Sequence, residues 1–247
     1  MINKIKKNHK TIIIIPARLK SSRLSKKLLR KINGKPMIQR VAENVKKLGY
    51  KDVIVATDSS EIFNLCKQSK IRVTMSQKIH KSGTDRVYEA YELQKKEYDI
   101  VINLQGDLPL FGRNLLNGLI RLFDDDKVQI GTAVCNLENE EIKDENIVKA
   151  KVVLENDIGY VTDFKRRICS KLNYYHHIGI YAFRPEILKK FVNLHQSKNE
   201  VERKLEQLRA MDNNLKIKTV KVDYNPPSVD TINDLRKIRL IFKKNKL

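Results

Sequence analysis

Apolar residues along the first half of the chain alternate between the spacing of buried strands and the spacing of helices. Thr11–Ala17 is apolar or β-branched at almost every position, which is typical of a strand covered on both faces. Met37–Leu48 has apolar residues at helical spacing, and Gly49 is suited to end that helix. Asp52–Thr57 and Asp99–Leu104 repeat the strand pattern. The resulting β-α-β-α-β-α-β-α order predicts an α/β fold with a Rossmann-like, mostly parallel sheet and helices on both faces.

The second half of the chain carries more strand patterns than helix patterns. Strands are predicted at Gln129–Asn136 and His177–Phe183, and a helix at Val201–Asp212. No repeat, low-complexity linker or shift in composition marks a boundary between domains. We therefore predict a single domain over residues 1–247, with room for an inserted lobe at about 130–220 that packs on the same core.

The chain is strongly basic, with 50 lysine and arginine residues against 29 aspartates and glutamates and a formal net charge of +21. Such a charge can indicate nucleic-acid binding or simply a lysine-rich surface. The basic residues are scattered, and no helix-turn-helix, zinc-finger or RNA-module pattern accompanies them. We therefore expect no stable nucleic-acid partner. A positive field would also attract small anions such as a nucleoside triphosphate.

Cysteine usage and hydropathy indicate the compartment. Cys66, Cys135 and Cys169 are far apart, odd in number and form no CxxC pair. This usage argues against a disulfide framework or a zinc site and fits a reducing cytosol. The apolar run Ile12–Ile15 is too short for the core of a signal peptide or for a membrane span. We expect a cytoplasmic protein without a membrane partner.

A polar, cationic loop follows the first strand, at the edge where ligands bind in parallel α/β sheets. It runs from Pro16 to Lys27 and supplies hydroxyl groups, backbone donors and several cations, as a triphosphate site requires. The loop matches neither a Walker A motif nor a GxGxxG motif. On composition alone, a solvated basic loop is an equally good interpretation.

Two aspartates are candidates for a metal site, although each also has a purely structural interpretation. Asp107 follows Gln105 and Gly106 directly after a predicted strand, where its carboxylate could hold Mg²⁺ or cap the next turn. Asp230 precedes the last predicted helix, whose N-cap could be either Thr231 or Asp230 itself.

Arg86 and the pair His176-His177 are weaker candidates. Arg86 follows a Ser-Gly-Thr-Asp sequence that is typical of a helix start, yet its guanidinium could meet an anion. Neighbouring residues of a strand face opposite ways, so the two histidines are not expected to form a zinc site. None of these features decides the function by itself, so their order along the chain has to decide it.

Seven short motifs follow one another as they do in the 3-deoxy-manno-octulosonate (Kdo) cytidylyltransferases, and the chain resembles this family from about Thr11 to Leu235. In this sequence the motifs are Pro16–Lys27, Ala56–Asp58, Ser82–Arg86, Gln105–Pro109, His177–Arg184, Leu205–Arg209 and Val229–Thr231. Seven ordered matches make a chance resemblance very improbable. The resemblance implies a nucleotidyltransferase fold and an enzyme that uses CTP and Mg²⁺ and is usually a homodimer.

By this resemblance, the enzyme would join CTP to the acidic keto sugar Kdo, giving CMP-Kdo and pyrophosphate for lipopolysaccharide or another surface glycan. Mg²⁺ is the expected cofactor, and CTP and the sugar acid are the expected partners. Another ulosonic acid, such as an 8-amino analogue of Kdo, is an alternative substrate. A non-catalytic protein that binds nucleotides or nucleic acids is the alternative from a different class.

The resemblance also implies roles for individual residues, grouped by what they would bind. The catalytic residues would be Lys27, Asp107 and Asp230, and the two aspartates would hold the metal ion. The nucleotide-binding residues would be Ala17, Arg18, Ser22, Lys27 and Gln105. The sugar-binding residues would be Arg86, His177, Glu206 and Gln207.

The sequence departs from the family pattern within several of these motifs. Ser25 and Leu28 stand where the family has prolines on either side of its lysine motif, so we expect a loop that is more mobile when empty. Leu108 stands where glutamate is usual, and Arg203 where the family has a second glutamate. Residues 165–170 also differ from the family. The identity of the sugar is therefore the least determined part of the prediction.

Overall fold

The helices and strands lie close to the positions that the apolar pattern predicts. The structure is a computed structural model that describes residues 7–21 and 23–245. The strands are β1 (Thr11–Ala17), β2 (Lys31–Ile32), β3 (Lys35–Pro36), β4 (Val53–Thr57), β5 (Val73–Met75), β6 (Ile100–Asn103), β7 (Ile130–Cys135), β8 (Lys149–Val152), β9 (Ile158–Lys165), β10 (Tyr174–Phe183) and β11 (Ile217–Lys221). The helices are α1 (Met37–Lys47), α2 (Ser60–Gln68), α3 (Gly83–Glu92), α4 (Arg113–Arg121), α5 (Pro185–Val192), α6 (Lys198–Arg203), α7 (Leu208–Asp212) and α8 (Ile232–Lys244).

Contacts between residues group the chain into two units, which are described separately. The first unit contains Thr11–Glu97, Ile102–Arg113 and residues 226–245. The second contains residues 7–10, Tyr98–Val101 and Asn114–Asn225. The second unit takes in the whole of the lobe predicted at about 130–220.

In the first unit, strands β1, β4 and β5 are parallel and β1 and β4 are deeply buried, while the short strands β2 and β3 pair antiparallel. Strand β1 pairs in parallel with β4, and β4 with β5, while the end of β6 lies beside β1. Every residue of β4 and β6 is buried. Consecutive strand residues point to opposite faces, so unbroken burial requires cover on both faces. The parallel α/β prediction is confirmed here.

Helices α2, α3 and α8 of the first unit begin at residues whose side chains satisfy free N–H groups of the first turn. Ser82 caps α3 and Thr231 caps α8, and each forms a reciprocal capping box with an aspartate three residues later. Helix α1 ends before Gly49, whose φ of +93° is the left-handed conformation that suits glycine. Because Thr231 is the cap of α8, the Asp230 carboxylate is available for another role.

In the second unit, antiparallel pairing predominates, which the prediction of a mostly parallel sheet did not anticipate. Strand β7 is parallel to β11 but antiparallel to β10. Strand β8 pairs antiparallel with both β9 and β10, and β9 pairs antiparallel with β11, so the five strands close into a ring. The tight turn between β8 and β9 has positive φ at Asn156 and Asp157. This two-residue turn joins antiparallel strands, and its Asn-Asp sequence was the available signal.

The single helix predicted at Val201–Asp212 is wrong. The structure has α6 and α7 instead, because Lys204 adopts a φ of +53° that ends α6. The break lets the Arg209 guanidinium bind both carboxylate oxygens of Glu200, at 2.6 and 2.8 Å. Both side chains are only 6% exposed. A tertiary ion pair therefore overrides a helical pattern in the sequence.

None of the helices within residues 7–21 and 23–245 combines the length and the apolar character needed to cross a lipid bilayer.

The ion pair of Glu200 and Arg209 makes stability depend on pH. Burial opposes the charge of Glu200, but its hydrogen bonds to Arg209 outweigh burial and lower the pKa of the carboxyl group below its ordinary value. A folded-state pKa below the unfolded one stabilises the fold above about pH 4.3. That stabilisation is lost as the pH falls through the folded-state pKa.

We expect Glu200→Gln to lower the free energy of unfolding by roughly 3 kcal/mol at neutral pH, because Arg209 keeps its buried charge without a counter-ion. The difference from the wild type should shrink as the pH falls below about 4.3, because the unfolded wild-type chain then binds a proton that the ion pair keeps off the folded chain. Urea denaturation at several pH values measures both effects. Glu202→Gln is the matched control, because the Glu202 side chain is 58% exposed. An equal destabilisation by Glu200→Gln at pH 7 and pH 3 would show that the ion pair of Glu200 and Arg209 does not cause the pH dependence.

Candidate active site

The carboxyl end of β1 opens onto a charged cleft of about 230 Å³ within the first unit. The side chains come from the loop after β1, the turn after β6 and the segment before α8. The lining residues are Pro16, Arg18, Lys20, Ser21, Arg23, Lys27, Leu28, Gln105, Gly106, Asp107 and Asp230. Cations therefore surround two carboxylates, at the edge where parallel sheets bind their ligands.

Lys27 joins the two candidate aspartates. Its Nζ donates to Asp107 Oδ2 at 2.6 Å and to Asp230 Oδ1 at 2.9 Å. These partners lie 80 and 203 positions away in the sequence. The Arg23 guanidinium also reaches Asp230 Oδ1, at 3.0 Å. The structure thus brings together the three residues that the sequence predicts to be catalytic.

Lys27 keeps its charge although its side chain is only 14% exposed. Burial alone would lower the pKa of the ammonium group, but the charges and hydrogen bonds of Asp107 and Asp230 outweigh it and raise the pKa above the ordinary value. At neutral pH the cleft therefore contains a positive Lys27 that bridges two carboxylates.

Local packing holds Lys27 in place without the prolines of the family motif. Lys26 adopts a φ of 50° ahead of a short 3₁₀ turn that starts at Lys27, and its Nζ pairs with Glu61 at 2.6 Å. The Leu28 side chain is buried and lies close against Gly106. Leu28 thus replaces a proline with a buried apolar contact.

The two carboxylates are also linked through the backbone, because Val229 N–H donates to the Asp107 carbonyl oxygen at 3.0 Å. This bond ties the segment before α8 to the turn after β6. The relative position of Asp107 and Asp230 therefore does not depend on Lys27 alone.

The other predicted nucleotide-binding residues differ in how they relate to the cleft. Arg18 is exposed and, with Gln105, lines the cleft. Ala17 is fully buried at the end of β1 and does not line it. Ser22 lies outside the described residues. Lys20 also lines the cleft, and the cationic loop was the signal that could have singled it out.

The donor set fits a Mg²⁺ ion, since this ion binds carboxylate oxygens and keeps several waters or phosphate oxygens in its coordination shell. Asp107 and Asp230 share one ammonium group, so their oxygens are close enough to act together. Among residues 7–21 and 23–245, no group of three or more His, Cys, Asp or Glu side chains is placed to hold a metal. Two carboxylates plus a phosphate would suit Mg²⁺ better than a metal held entirely by protein.

The Arg86 side chain forms hydrogen bonds to other residues of the first unit. Its guanidinium donates to Asp58 Oδ2 at 2.7 Å and to Ser76 Oγ at 3.2 Å, and its side chain is buried. Two motifs that are distant in sequence, Ala56–Asp58 and Ser82–Arg86, therefore meet. Arg86 could meet an anion only while sharing its donors with Asp58.

In the second unit, His177 is buried and uncharged. Burial lowers its pKa to about 3. The Thr132 hydroxyl donates to the Ile180 carbonyl oxygen at 2.8 Å and lies 3.0 Å from His177 Nε2. Because that hydroxyl has only one proton to donate, Nε2 carries the hydrogen and Nδ1 is left as an acceptor. A neutral acceptor of this kind suits a sugar hydroxyl.

Tyr181 is a second-unit residue that sequence reasoning missed. Its ring centroid lies 5.4 Å from that of His177, and its hydroxyl oxygen is buried although the residue as a whole is half-buried. Burial, aided by the charge of Glu206, raises the pKa of its hydroxyl well above the ordinary value. Among the described residues no hydrogen-bond partner reaches that hydroxyl. Its place in the same motif as His177 was the available signal.

Glu206 and Gln207 lie in the turn before α7 in the second unit. A Glu206 carboxylate oxygen is 3.9 Å from the Arg209 guanidinium. Gln207 is the residue that precedes α7. The pair of Glu200 and Arg209 therefore supports the turn that carries both predicted sugar-binding residues.

The α/β fold, the cationic cleft and the paired carboxylates together define a nucleotidyltransferase. A family model described as cytidylyltransferase matches residues 12–217. A solved UDP-glucose pyrophosphorylase, only 15% identical, shares the fold over 96% of this chain and 99% of its own, with a TM-score of 0.69.

Proteins with higher sequence identity to this chain identify its family within that class. The 3-deoxy-manno-octulosonate cytidylyltransferase of Bartonella henselae is 39% identical over 93% of this chain and 97% of its own length. That of Elusimicrobium minutum is 36% identical over 95% and 99%. The solved CMP:2-keto-3-deoxy-manno-octonic acid synthetase, in complex with CTP, is 35% identical over 96% of this chain and 99% of its own, with a TM-score of 0.87. This chain belongs to the 3-deoxy-manno-octulosonate cytidylyltransferase family.

Gly106 lets the turn after β6 approach the lysine segment. A Cβ at this position would lie 3.2 Å from a Leu28 methyl group and 3.5 Å from Ile15. We expect Gly106→Ala to push Leu28, and with it Lys27, away from Asp107, and to cost about 1–3 kcal/mol of stability. CTP-dependent turnover should fall by more than this loss of folded protein explains.

Thermal unfolding and steady-state kinetics test the effect of Gly106→Ala. Gly83→Ala is the control, because its Cβ would make only an ordinary contact of 3.5 Å with Pro16. If Gly106→Ala matches the wild type in both measurements, the close approach at Leu28 does not position the site.

Proposed function

We propose that this protein transfers CMP from CTP to 3-deoxy-manno-octulosonate and releases pyrophosphate. The observation that carries the proposal is the cluster of Lys27, Asp107 and Asp230 at the carboxyl edge of parallel strands. Such a cluster combines a cation for phosphate oxygens with two carboxylates for a divalent ion. The family relationship supports the choice of nucleotide and sugar.

The chemical step is an in-line displacement at phosphorus. The anomeric hydroxyl oxygen of the sugar forms a bond to the α-phosphorus, the bond from that phosphorus to the bridging oxygen breaks, and pyrophosphate leaves. The hydroxyl proton is lost to solvent or to a nearby base. No protein nucleophile is required, so the task of the site is to position the reactants and offset their charge.

The cations of the loop after β1 would receive the triphosphate. Arg18 and Lys20 are exposed at the cleft, and Lys27 lies deeper beside the two carboxylates. Charge-assisted hydrogen bonds to phosphate are stronger than neutral ones, and Arg can bind two oxygens at once. These residues would hold the phosphates while the α-phosphorus faces the attacking oxygen.

Asp107 and Asp230 would hold Mg²⁺. The ion, when bound, offsets phosphate charge and lowers the pKa of the attacking hydroxyl. The carboxylates would fix its position relative to the strands, because Asp107 follows β6 directly and Asp230 precedes the capped start of α8.

Sugar recognition would use mainly neutral polar groups of the second unit. The neutral His177 imidazole offers an acceptor, and the Tyr181 hydroxyl lies near it. Glu206 and Gln207 would add acceptors and donors for sugar hydroxyls. Arg86 of the first unit remains a proposed contact for an anionic group.

A related ulosonic acid is the second candidate substrate. Leu108 is buried next to Asp107, where the family has glutamate, and Arg203 pairs with Asp163 at 2.8 Å where the family has another glutamate. Both changes replace an acid by a residue without negative charge. A sugar that carries an amine would therefore gain less binding free energy from this site than from a site that contains both glutamates.

We also propose a homodimer, a cytoplasmic location and a role in lipopolysaccharide or surface-glycan synthesis, as in the wider family pattern. Analytical ultracentrifugation would test the oligomeric state.

The first activity test is the choice of substrates. We expect pyrophosphate release from CTP with Kdo and Mg²⁺, at least tenfold faster than with ATP, GTP or UTP. A panel of ulosonic acids in the same assay would rank Kdo against its 8-amino analogue. Equal use of ATP or GTP would refute the assignment of CTP as the nucleotide. If no sugar supports pyrophosphate release, the proposed enzyme activity is refuted.

The second test concerns Asp107. We expect Asp107→Asn to reduce turnover by about a hundredfold or more while the fold survives, because a neutral amide balances less of the charge of a divalent cation. Circular dichroism checks the fold, and kinetics over a range of Mg²⁺ concentrations check the metal. Near-normal turnover with unchanged dependence on Mg²⁺ would show that Asp107 does not hold the metal ion. Asp99→Asn, which removes an acid that binds the Lys10 backbone instead, is a matched control.

A further inference from the structure

One oxygen of each carboxylate that should hold a divalent cation is already in contact with a positive side chain. Lys27 Nζ lies 2.6 Å from Asp107 Oδ2 and 2.9 Å from Asp230 Oδ1. Arg23 adds a contact of 3.0 Å to the same Asp230 oxygen. Two positive side chains therefore neutralise a pair of acids.

An ammonium group and a divalent cation compete for these oxygens. Mg²⁺ requires oxygens at about 2.0–2.1 Å and the displacement of anything that lies between them. A cation beside Lys27 Nζ would also be repelled by its positive charge at short range. While Lys27 keeps both hydrogen bonds, its charge and its place between the two carboxylates oppose the binding of a divalent ion there.

The cluster is placed to open, unlike a purely structural ion pair. Asp107 and Asp230 side chains are 23% and 34% exposed, and all three groups line the cleft. By contrast, Glu200 and Arg209 are each only 6% exposed. Lys27 has a flexible four-carbon side chain, so its ammonium can move to a phosphate oxygen without moving the backbone.

We propose that Lys27 closes the carboxylate pair to divalent cations until a triphosphate draws its ammonium group away. Nucleotide binding and metal binding at Asp107 and Asp230 are then coupled, and the empty enzyme holds no tight metal ion there. The inference rests on the proposed metal role of these two aspartates, and it adds an order of events at their site.

The first experiment is a titration of nucleotide-free protein with Mn²⁺, in which electron paramagnetic resonance reports the free ion. We expect Lys27→Met to bind Mn²⁺ about tenfold or more tightly than the wild type, because one positive charge leaves the oxygens. Lys26→Met is the matched control: it removes the neighbouring lysine, which pairs with Glu61 instead. Combining Lys27→Met with Asp107→Asn should abolish the gain.

Thermal unfolding gives a second readout that does not require the variant to be active. In EDTA, Lys27→Met should unfold at a lower temperature than the wild type, because two carboxylates then face each other with only the exposed Arg23 as a counter-ion. Mg²⁺ should restore most of that loss in Lys27→Met and should change the wild type far less. Lys27→Gln repeats both tests if the methionine variant folds poorly.

Calorimetric titration with CTP in EDTA tests the claim that a triphosphate attracts the ammonium group of Lys27. Lys27→Met should bind metal-free CTP several-fold more weakly than Lys26→Met, because it lacks the ammonium group that the phosphates attract.

The proposal is overturned if Lys27→Met gains no Mn²⁺ affinity over Lys26→Met, or if both variants bind metal-free CTP equally well. Failure of the proposed function would look different, since CTP and Kdo would then release no pyrophosphate whatever the Mn²⁺ titrations show.

Discussion

Three stretches of chain that are distant in sequence meet on the ammonium group of Lys27. One follows β1, one carries Asp107 after β6, and one carries Asp230 before α8. Removing Lys27 would take the ion-pair partner from the partly buried Asp107 and leave Asp230 with Arg23, and a buried charge that loses its partner costs far more than an exposed ion pair contributes. The surrounding packing follows from this constraint. Gly106 admits Leu28, and Val229 binds the backbone of Asp107.

The two units concentrate different chemistry. In the first unit, loop cations and carboxylates provide the strong, charge-dependent contacts that phosphate and a divalent ion require. In the second, His177 and Tyr181 are buried in their neutral forms, and burial itself keeps them neutral. Neutral donors and acceptors suit sugar hydroxyls, because they bind without the cost of desolvating an ion. The two sets of groups therefore differ because the charged side chains of the cleft stay in contact with water, whereas burial keeps His177 and Tyr181 neutral.

Two of the departures from the family motifs have physical replacements in this chain. The prolines beside the lysine are absent, but Leu28 is buried against Gly106 and Lys26 pairs with Glu61. Arg203, which replaces a glutamate, pairs with Asp163. Leu108 is buried and offers no polar group in return. The first two changes preserve local order, while the third changes the chemistry beside Asp107.

The sequence by itself determined the elements whose periodicity is local, such as β1 and α1, and the ordered motifs that identify the family. Residues that are neighbours along the chain have their strand or helix faces set by backbone geometry alone. Only the tertiary structure decided that Lys27 bridges Asp107 and Asp230, that Asp58 engages Arg86, and that Glu200 and Arg209 split a predicted helix. Charge interactions depend on distance in space and on burial, and neither can be read from separation along the chain.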